Sequence, residues 1–545
     1  MMKTFSGVDR IRNIEAMRTD PFDLCIIGGG INGAGVARDA ASRGMRVALI
    51  EANDFASGTS SKSSKLIHGG IRYLENMEFH LVFEALSERA KLFEMAPHLV
   101  HPLRFMIPIY ENSRVGMFKM GLGMWLYDAL SLFQAPQFHE RLNAEESIAR
   151  MPSLQERQLV GSFVYSDAYM DDDRLVHETL RSANEHDAKI ANFVKATGAE
   201  FDKGGKIEFV QCEDQLTHEK FKIRAKHVVS CAGPWTDELG PKIFSDWKNI
   251  LRPTKGIHLT FQKARLPLSS AVVMGAEKSD RIVFGIPRHE MVIVGTTDTD
   301  FDGSPDRIIA TPEDIQYLLD VTAAYFPGAG ITAQDIVASY AGVRPLVKDN
   351  SSSAGKTSRE HVILDHNRGY TLVAGGKYTT YRLMSEQVVQ HCLKFFSIEE
   401  RVRYRKADTS KPLNTFTDPS SFHQALSSAS NWARQFDRTL EETQMLAERY
   451  GMEALHIIQR APASYSYWQI EALQAIDHTM CLNLVDFYTR RVPLFLAQPE
   501  HGLSHLESIC EVFQAKRFWS DSETQKQKDS LRSYIEKELA WKSSF

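Results

Sequence analysis

Several features that a chain of 545 residues can carry are missing from this one. There is no C-x-x-C pair. The six cysteines (Cys25, Cys212, Cys231, Cys392, Cys481 and Cys510) stand far apart. That excludes a dithiol redox motif and a cysteine zinc site, and leaves the thiols as small core residues of a protein kept in a reducing cytosol. Nor is there an apolar run fit to span a bilayer. The most apolar stretch, 115–133, is broken by Lys119 and Asp128 and falls short of the roughly 20 residues a spanning helix needs. The segment 1–21 is polar and mixed in charge, without the apolar core of a signal peptide. Net charge is only −5, so bulk charge gives no argument for a nucleic-acid partner. The densest carboxylate run, Asp171-Asp172-Asp173, lacks EF-hand spacing and reads as a polar loop or a helix start. No metal is expected.

What is present is the patterning of a large globular chain, with 43% hydrophobic and 24% charged residues and a length that suits two to four domains. Phe22 to Ile27 is an apolar run that reads as a buried parallel strand. Ile31 to Arg43 carries helix-forming alanines, and Arg46 to Ile50 is a second strand, which makes a β-α-β unit. Phe79 to Met95 has helical spacing. Further strands are expected at Lys226–Cys231, His258–Phe261, Arg281–Ile286, Met291–Val294 and Tyr370–Ala374, with helices at Thr311–Phe326 and Tyr381–Phe396. The basic segment 401–417 has no periodicity and reads as a linker to a helical, charged C-terminal region.

Gly28-Gly29-Gly30-Ile31-Asn32-Gly33 fits G-x-G-x-x-G. The pattern alone is weak. Here it follows a strand, opens a helix, and has Glu51 at the end of the next strand, which is the setting of a dinucleotide site. Gly28 permits the turn, Gly30 lets backbone approach a pyrophosphate, and Gly33 lets helix and strand pack. The N–H groups and dipole of the helix start, at Ile31 and Asn32, face the phosphates. Glu51 can accept hydrogen bonds from a ribose diol. The glycines leave NAD and FAD both open.

The next stretch narrows the choice. Thr59-Ser60-Ser61-Lys62-Ser63-Ser64-Lys65-Leu66-Ile67-His68-Gly69-Gly70-Ile71-Arg72-Tyr73-Leu74 closely resembles the segment after the second strand in FAD-dependent glycerol-3-phosphate dehydrogenases, of the D-amino-acid-oxidase-like flavoprotein superfamily. Five more segments agree in order. They are Tyr165–Asp167 with Asp171–Leu175, Cys231–Trp235, Gly295–Asp298, Gly342–Leu346 and Gly375–Arg382, with a weaker echo at Asp486–Arg491. The resemblance implies a Rossmann-like α/β FAD domain of the glutathione-reductase type, an inserted α+β substrate domain and a helical C-terminal domain. The expected ranges are 19–100, 155–240 and 340–398 for the FAD domain, 101–154 and 241–339 for the substrate domain, and 405–545 for the helical one.

The resemblance also implies a reaction: sn-glycerol 3-phosphate is oxidised to dihydroxyacetone phosphate, with hydride passing from C2 to flavin N5. The phosphate must be gripped so that C2 lies about 3–3.5 Å from N5. Arg72, Arg344 and Lys377, each beside a family motif, are the candidate cations. Lys377 can equally serve the flavin or the substrate hydroxyl. His68 and His258 are the candidate bases, and the residues do not rank them. FAD contacts are expected from the glycine motif, Glu51, Thr59, Ser60, Ser61, Ser64, Lys65, Ile67, His68, Val194, Ala232, Gly233, Gly376 and Lys377. In this family some members reduce quinone and others oxygen, and the oxygen users carry an extra segment of several tens of residues. The 46 residues from Asp298 to Arg344 and the 33 from Arg344 to Lys377 are compact, which favours the dehydrogenase and a quinone acceptor. An oxidase of amines or amino acids and an oxygen-using glycerophosphate oxidase are the alternatives. A quinone acceptor implies bilayer contact. The stretch 114–133 reads either as an interfacial helix or as a core helix of the inserted domain, and the basic residues Arg401 to Lys406 either as a lipid contact or as a solvated linker. A homodimer in the cytoplasm, or on the cytoplasmic face of the inner membrane, is the expected setting.

Overall fold

A computed structural model describes residues 3–74, 77–132, 134–275, 281–348, 361–366 and 368–545. Among these, two sheets carry the architecture. The first has the order β17 (His361–His366), β18 (Tyr370–Gly375), β10 (Lys220–Ser230), β1 (Pro21–Ile27), β2 (Val47–Ile50), β7 (Lys189–Ala191). From β18 to β7 the strands run parallel. Their sequences are accordingly apolar without alternation, because helices cover both faces. The helix Ile31–Ser42 is flanked by the helices Asp172–Glu185 and Tyr381–Cys392. β10 shows both sheet environments in one strand. Its first half alternates exposed and buried where it pairs antiparallel with β9 (Ile207–Asp214), itself paired with β8 (Val194–Phe201). Its second half, His227 to Ser230, is wholly buried beside β1.

The second sheet has the order β15 (Thr299–Asp300), β11 (Leu251–Gln262), β14 (Met291–Gly295), β13 (Ile282–Arg288), β12 (Ala271–Gly275), β4 (Val100–Tyr110), β6 (Leu159–Met170), β3 (Leu66–Ile67). β16 (Ile336–Val347) lies along β11, and β5 (Glu140–Asn143) along β6. This membership cuts across the ranges expected from sequence. β6 falls within 155–240 yet pairs with β4 along its whole length, and β16 runs into 340–398 while pairing with β11. The chain crosses between sheets several times, so hydrophobic runs alone do not mark the borders. The C-terminal part is helical from Pro419–Gln435 to Asp521–Glu538.

Two segments differ from the sequence reading. The polar N-terminus holds a helix, Gly7–Thr19, set by a capping box between Ser6 and Asp9 and anchored by the buried pair Arg10–Asp214 at 2.6 Å. It lacks an apolar stripe, which hid it. The segment 401–417 is fastened rather than free. It completes the helix Ile398–Arg403, and then Arg38 donates to the carbonyls of Thr409 and Lys411 at 2.7 and 2.8 Å while the Leu413 N–H bonds Met95 O at 3.0 Å.

Candidate active site

The ends of β1, β10 and β18 open onto a cavity of about 640 Å³ that reaches the face of the second sheet. That size is normal for a cofactor or small-ligand site. Gly28 leaves β1 at φ +113°, and a Cβ there would lie 2.4 Å from Cys231 O. At Gly33 a Cβ would lie 1.9 Å from Gly28 O, so only glycine lets the helix sit this close to the strand. Gly30 caps the helix without a side chain, and Ser60 Oγ accepts the Ile31 N–H at 3.0 Å. Gly28, Gly30, Ile31 and Asn32 thus present a helix start to the cavity. Beside them Glu51 accepts the N–H groups of Gly29 at 2.7 Å and Asn53 at 2.9 Å. Burial pushes its carboxyl up and those donors pull it down, with burial the stronger. Each oxygen keeps a second lone pair for a ligand hydroxyl.

The opposite wall comes from the central pair of the second sheet. Across β11 and β16, Gly256 faces Gly342 and His258 faces Tyr340 in register. Period-two alternation puts Tyr340, Gly342 and Arg344 on one face. The two glycines make room: a Cβ at Gly256 would lie 2.4 Å from Arg344 Nη2, and one at Gly342 would lie 2.7 Å from Lys62 Cβ. Arg344 pairs with Asp298 at 3.1 Å and donates to Thr296 Oγ1 at 2.8 Å, which fixes its guanidinium plane. His258 stacks on Tyr340 at 4.7 Å, and its Nε2 lies 2.9 Å from Ser64 Oγ. Burial first, then the charges of Arg344 and Lys65, hold its pKa well below 6.5, so the ring is neutral. Lys377 Nζ sits 3.8 Å from the centre of the Tyr73 ring. His68 is half-buried, with backbone bonds to Thr379 Oγ1.

His68, His258, Arg344, Lys377, Thr59, Ser60, Ser64, Val194, Ala232, Gly233 and Gly376 all line this cavity together with Gly28, Gly30, Ile31, Asn32 and Glu51, while Gly33 packs behind it against Gly28. Ser61, Lys65 and Ile67 do not line it. Ile67 is a core residue, and Lys65 is buried in an ion pair with Asp172 at 2.5 Å that also takes Ser63 at 2.7 Å. These three brace the loop from behind. The backbone of Arg72 is in a 3-10 turn, Ile71–Leu74, and its side chain lies outside the described residues, as does Phe133. Asp171 to Asp173 begin a helix. Although burial raises its carboxyl, Asp171 is held well below the usual range by Arg288, His289 and Arg174. Sequence reasoning quoted Thr296 to Asp298 and Tyr73 as motif residues without giving them site roles, and it missed Tyr340. Only the folded contacts show that they converge: Thr296 and Asp298 on Arg344, Tyr73 on Lys377, and Tyr340 on His258.

Among the described residues no helix is long and apolar enough to cross a membrane. The helix Met117–Leu130 packs Met124 and Tyr127 into the core, with Met117, Met120 and Leu130 against it, and leaves its other face outward. Phe118, Leu122 and Trp125 are 82%, 59% and 64% exposed, with Leu126 beside them and Phe79 and Phe83 exposed on the helix Phe79–Met95.

Residues 23–382 match the family model described as FAD dependent oxidoreductase, and residues 423–524 match the C-terminal domain of alpha-glycerophosphate oxidase. The aerobic glycerol-3-phosphate dehydrogenase of Staphylococcus saprophyticus is 32% identical over 519 residues, covering 93% of each chain. A glycerol-3-phosphate dehydrogenase from Bacillus halodurans, solved in complex with FAD, superposes with a TM-score of 0.81 at 28% identity over 98% of each chain. The L-alpha-glycerophosphate oxidase from Mycoplasma pneumoniae shares the fold at a TM-score of 0.56 and 18% identity, over 72% of this chain and 98% of its own.

Proposed function

Because the chain belongs to the FAD dependent oxidoreductase family, among the aerobic glycerol-3-phosphate dehydrogenases, we propose that it oxidises sn-glycerol 3-phosphate to dihydroxyacetone phosphate and passes the electrons to a quinone. FAD is its cofactor. The observation that carries the reading is one continuous cavity with a glycine-rich helix start and Glu51 at one end, and Arg344, Lys377 and a neutral histidine at the other.

The residues fit that cofactor. The helix start at Gly30 to Asn32 would hold the pyrophosphate, Glu51 the ribose diol, and Thr59, Ser60, Ser64, Val194, Ala232, Gly233 and Gly376 the rest. Bound flavin supplies the hydride acceptor. Arg344, oriented by Asp298 and Thr296, grips the substrate phosphate with Lys377 and, by resemblance, Arg72. His258 takes the C2 hydroxyl proton. It is neutral before substrate arrives, and the incoming dianion raises its proton affinity at the moment it must act. His68, which lines the same cavity, is the second candidate for that proton. The exposed face of Met117–Leu130, with Arg114 and Lys119 along it, supports docking on an anionic bilayer where quinone dissolves.

The test is anaerobic addition of sn-glycerol 3-phosphate to the purified flavoprotein. The flavin band near roughly 450 nm should bleach and return on adding a quinone faster than on adding oxygen. A band that persists with this substrate but bleaches with an amine overturns the substrate. Return with oxygen at the quinone rate overturns the acceptor.

A further inference from the structure

Residues 484–491 form no part of the cavity, yet they end in two adjacent arginines that both reach Asp54. Asp54 is 1% exposed and lies between Asn53 and Ser57, which do line the cavity. Arg491 holds its carboxylate with two nitrogens, at 2.7 and 3.0 Å, and Arg490 Nε reaches it at 3.0 Å. Asn192 adds a fourth bond at 3.0 Å. The same helical region touches the loop a second time, where Lys62 Nζ donates to Tyr534 at 3.4 Å. It touches β16 a third time: Ser339, next to Tyr340, donates to Glu538 O at 3.0 Å and accepts from Trp541 Nε1 at 2.8 Å.

We propose that the C-terminal helical region is the clasp of the cofactor loop, with Arg490, Arg491 and Tyr534 as positioning residues that retain FAD. The loop 51–64 carries Glu51 at one end and the serines at the other. Among the described residues, Asp54 and Lys62 are the two points at which the C-terminal region hydrogen-bonds it. A multidentate guanidinium–carboxylate cluster fixes orientation as well as distance, so releasing it frees the loop to sample conformations that do not hold the ligand. The clasp rests on the reading that residues 51–64 hold the FAD.

The full-length apoprotein is titrated with FAD by flavin fluorescence, and Tm is recorded with and without FAD. Four variants are compared: Arg491→Gln, Tyr534→Phe, Glu51→Gln, and Glu453→Gln. The last cuts a different buried tie of the C-terminal region, Arg181–Glu453 at 2.6 Å, which reaches the helix Asp172–Glu185 and not the loop. Arg491→Gln should raise the FAD Kd by roughly tenfold or more and lose most of the FAD-induced rise in Tm. Tyr534→Phe should raise Kd severalfold, and it carries the test alone if Arg491→Gln does not fold. Glu453→Gln should lower Tm with and without FAD alike and leave Kd within about twofold. An unchanged Kd in Arg491→Gln, or an equal rise in Glu453→Gln, overturns the clasp. If Glu51→Gln binds FAD normally, the loop reading itself fails, and the clasp with it.

Discussion

His258 shows how position makes a base from an ordinary side chain. Strand pairing sets it against Tyr340, and burial beside Arg344 keeps it unprotonated. His258→Asn should lower kcat by about 10²–10⁴-fold while FAD remains bound, read by steady-state kinetics alongside the flavin spectrum. His68→Asn, if it costs as much, transfers the role. Because the His258 pKa lies below 6.5 in the free protein, kcat/KM should stay flat as pH falls through 6.5 and drop only below it. The matching limb in kcat should lie higher, since the bound phosphate favours the charged ring. Arg344→Gln removes a charge-assisted grip worth about 2–3 kcal/mol, and should appear in kcat/KM as a loss of roughly 30- to 150-fold, mostly through KM.

Among the elements, glycines with like crowding separate by what they crowd. A methyl at Gly33 meets the backbone oxygen of Gly28, which cannot yield, so Gly33→Ala should give a protein without flavin. A methyl at Gly256 meets only side-chain ends, the guanidinium of Arg344 at 2.4 Å and Thr296 Oγ1 at 2.8 Å. Gly256→Ala should therefore fold, keep its FAD absorbance, and show a raised KM for glycerol 3-phosphate. The helix Met117–Leu130 supplies a third test. Replacing Phe118, Leu122 and Trp125 together with Gln should abolish sedimentation with anionic liposomes and leave reduction of a soluble dye intact, and sedimentation unchanged by the replacements removes that helix from the membrane face. Much of this was legible in the sequence, because the first β-α-β unit is local: strand, turn and helix lie within Pro21–Ile50, and their pattern specifies them. The strands beginning at Ile282, Met291 and Tyr370 were legible for the same reason. What was not legible is non-local. β6 and β16 look like neighbours of the first sheet in sequence but pair with the second, and Lys65, inside the serine loop, turns back to Asp172. The helix Gly7–Thr19 escaped because polar ties hold it in place of an apolar stripe.

At the scale of the whole molecule, buried histidines set how the fold meets acid. Burial, ahead of neighbouring charges, holds His98, His177 and His258 well below 6.5, His101 and His478 near about 4, and His227 near about 3. Below pH 6.5 the unfolded chain binds protons at these sites that the folded one refuses, so stability is full above that pH and lost on acidification. Each contributes a slope of up to about 1.4 kcal/mol per pH unit. Asp486, Asp39, Glu51 and Asp173, raised mainly by burial, act oppositely, and the six histidines outnumber them. Tm should therefore fall steadily from pH 6.5 downward, well above the range where paired carboxylates protonate, and a Tm flat to pH 4.5 would rule this out. The order of strands in the first sheet bears on something else, the timing of synthesis. Gly28, Gly233 and Gly376 stand at the ends of adjacent strands, but Gly376 is translated 343 residues after Gly33, and Arg491 later still. A nascent chain that has already made its dinucleotide turn has nothing to close over the ligand. Flavin uptake should therefore wait until β18 has been made, and a chain cut short before Tyr370 should not retain FAD however much is supplied.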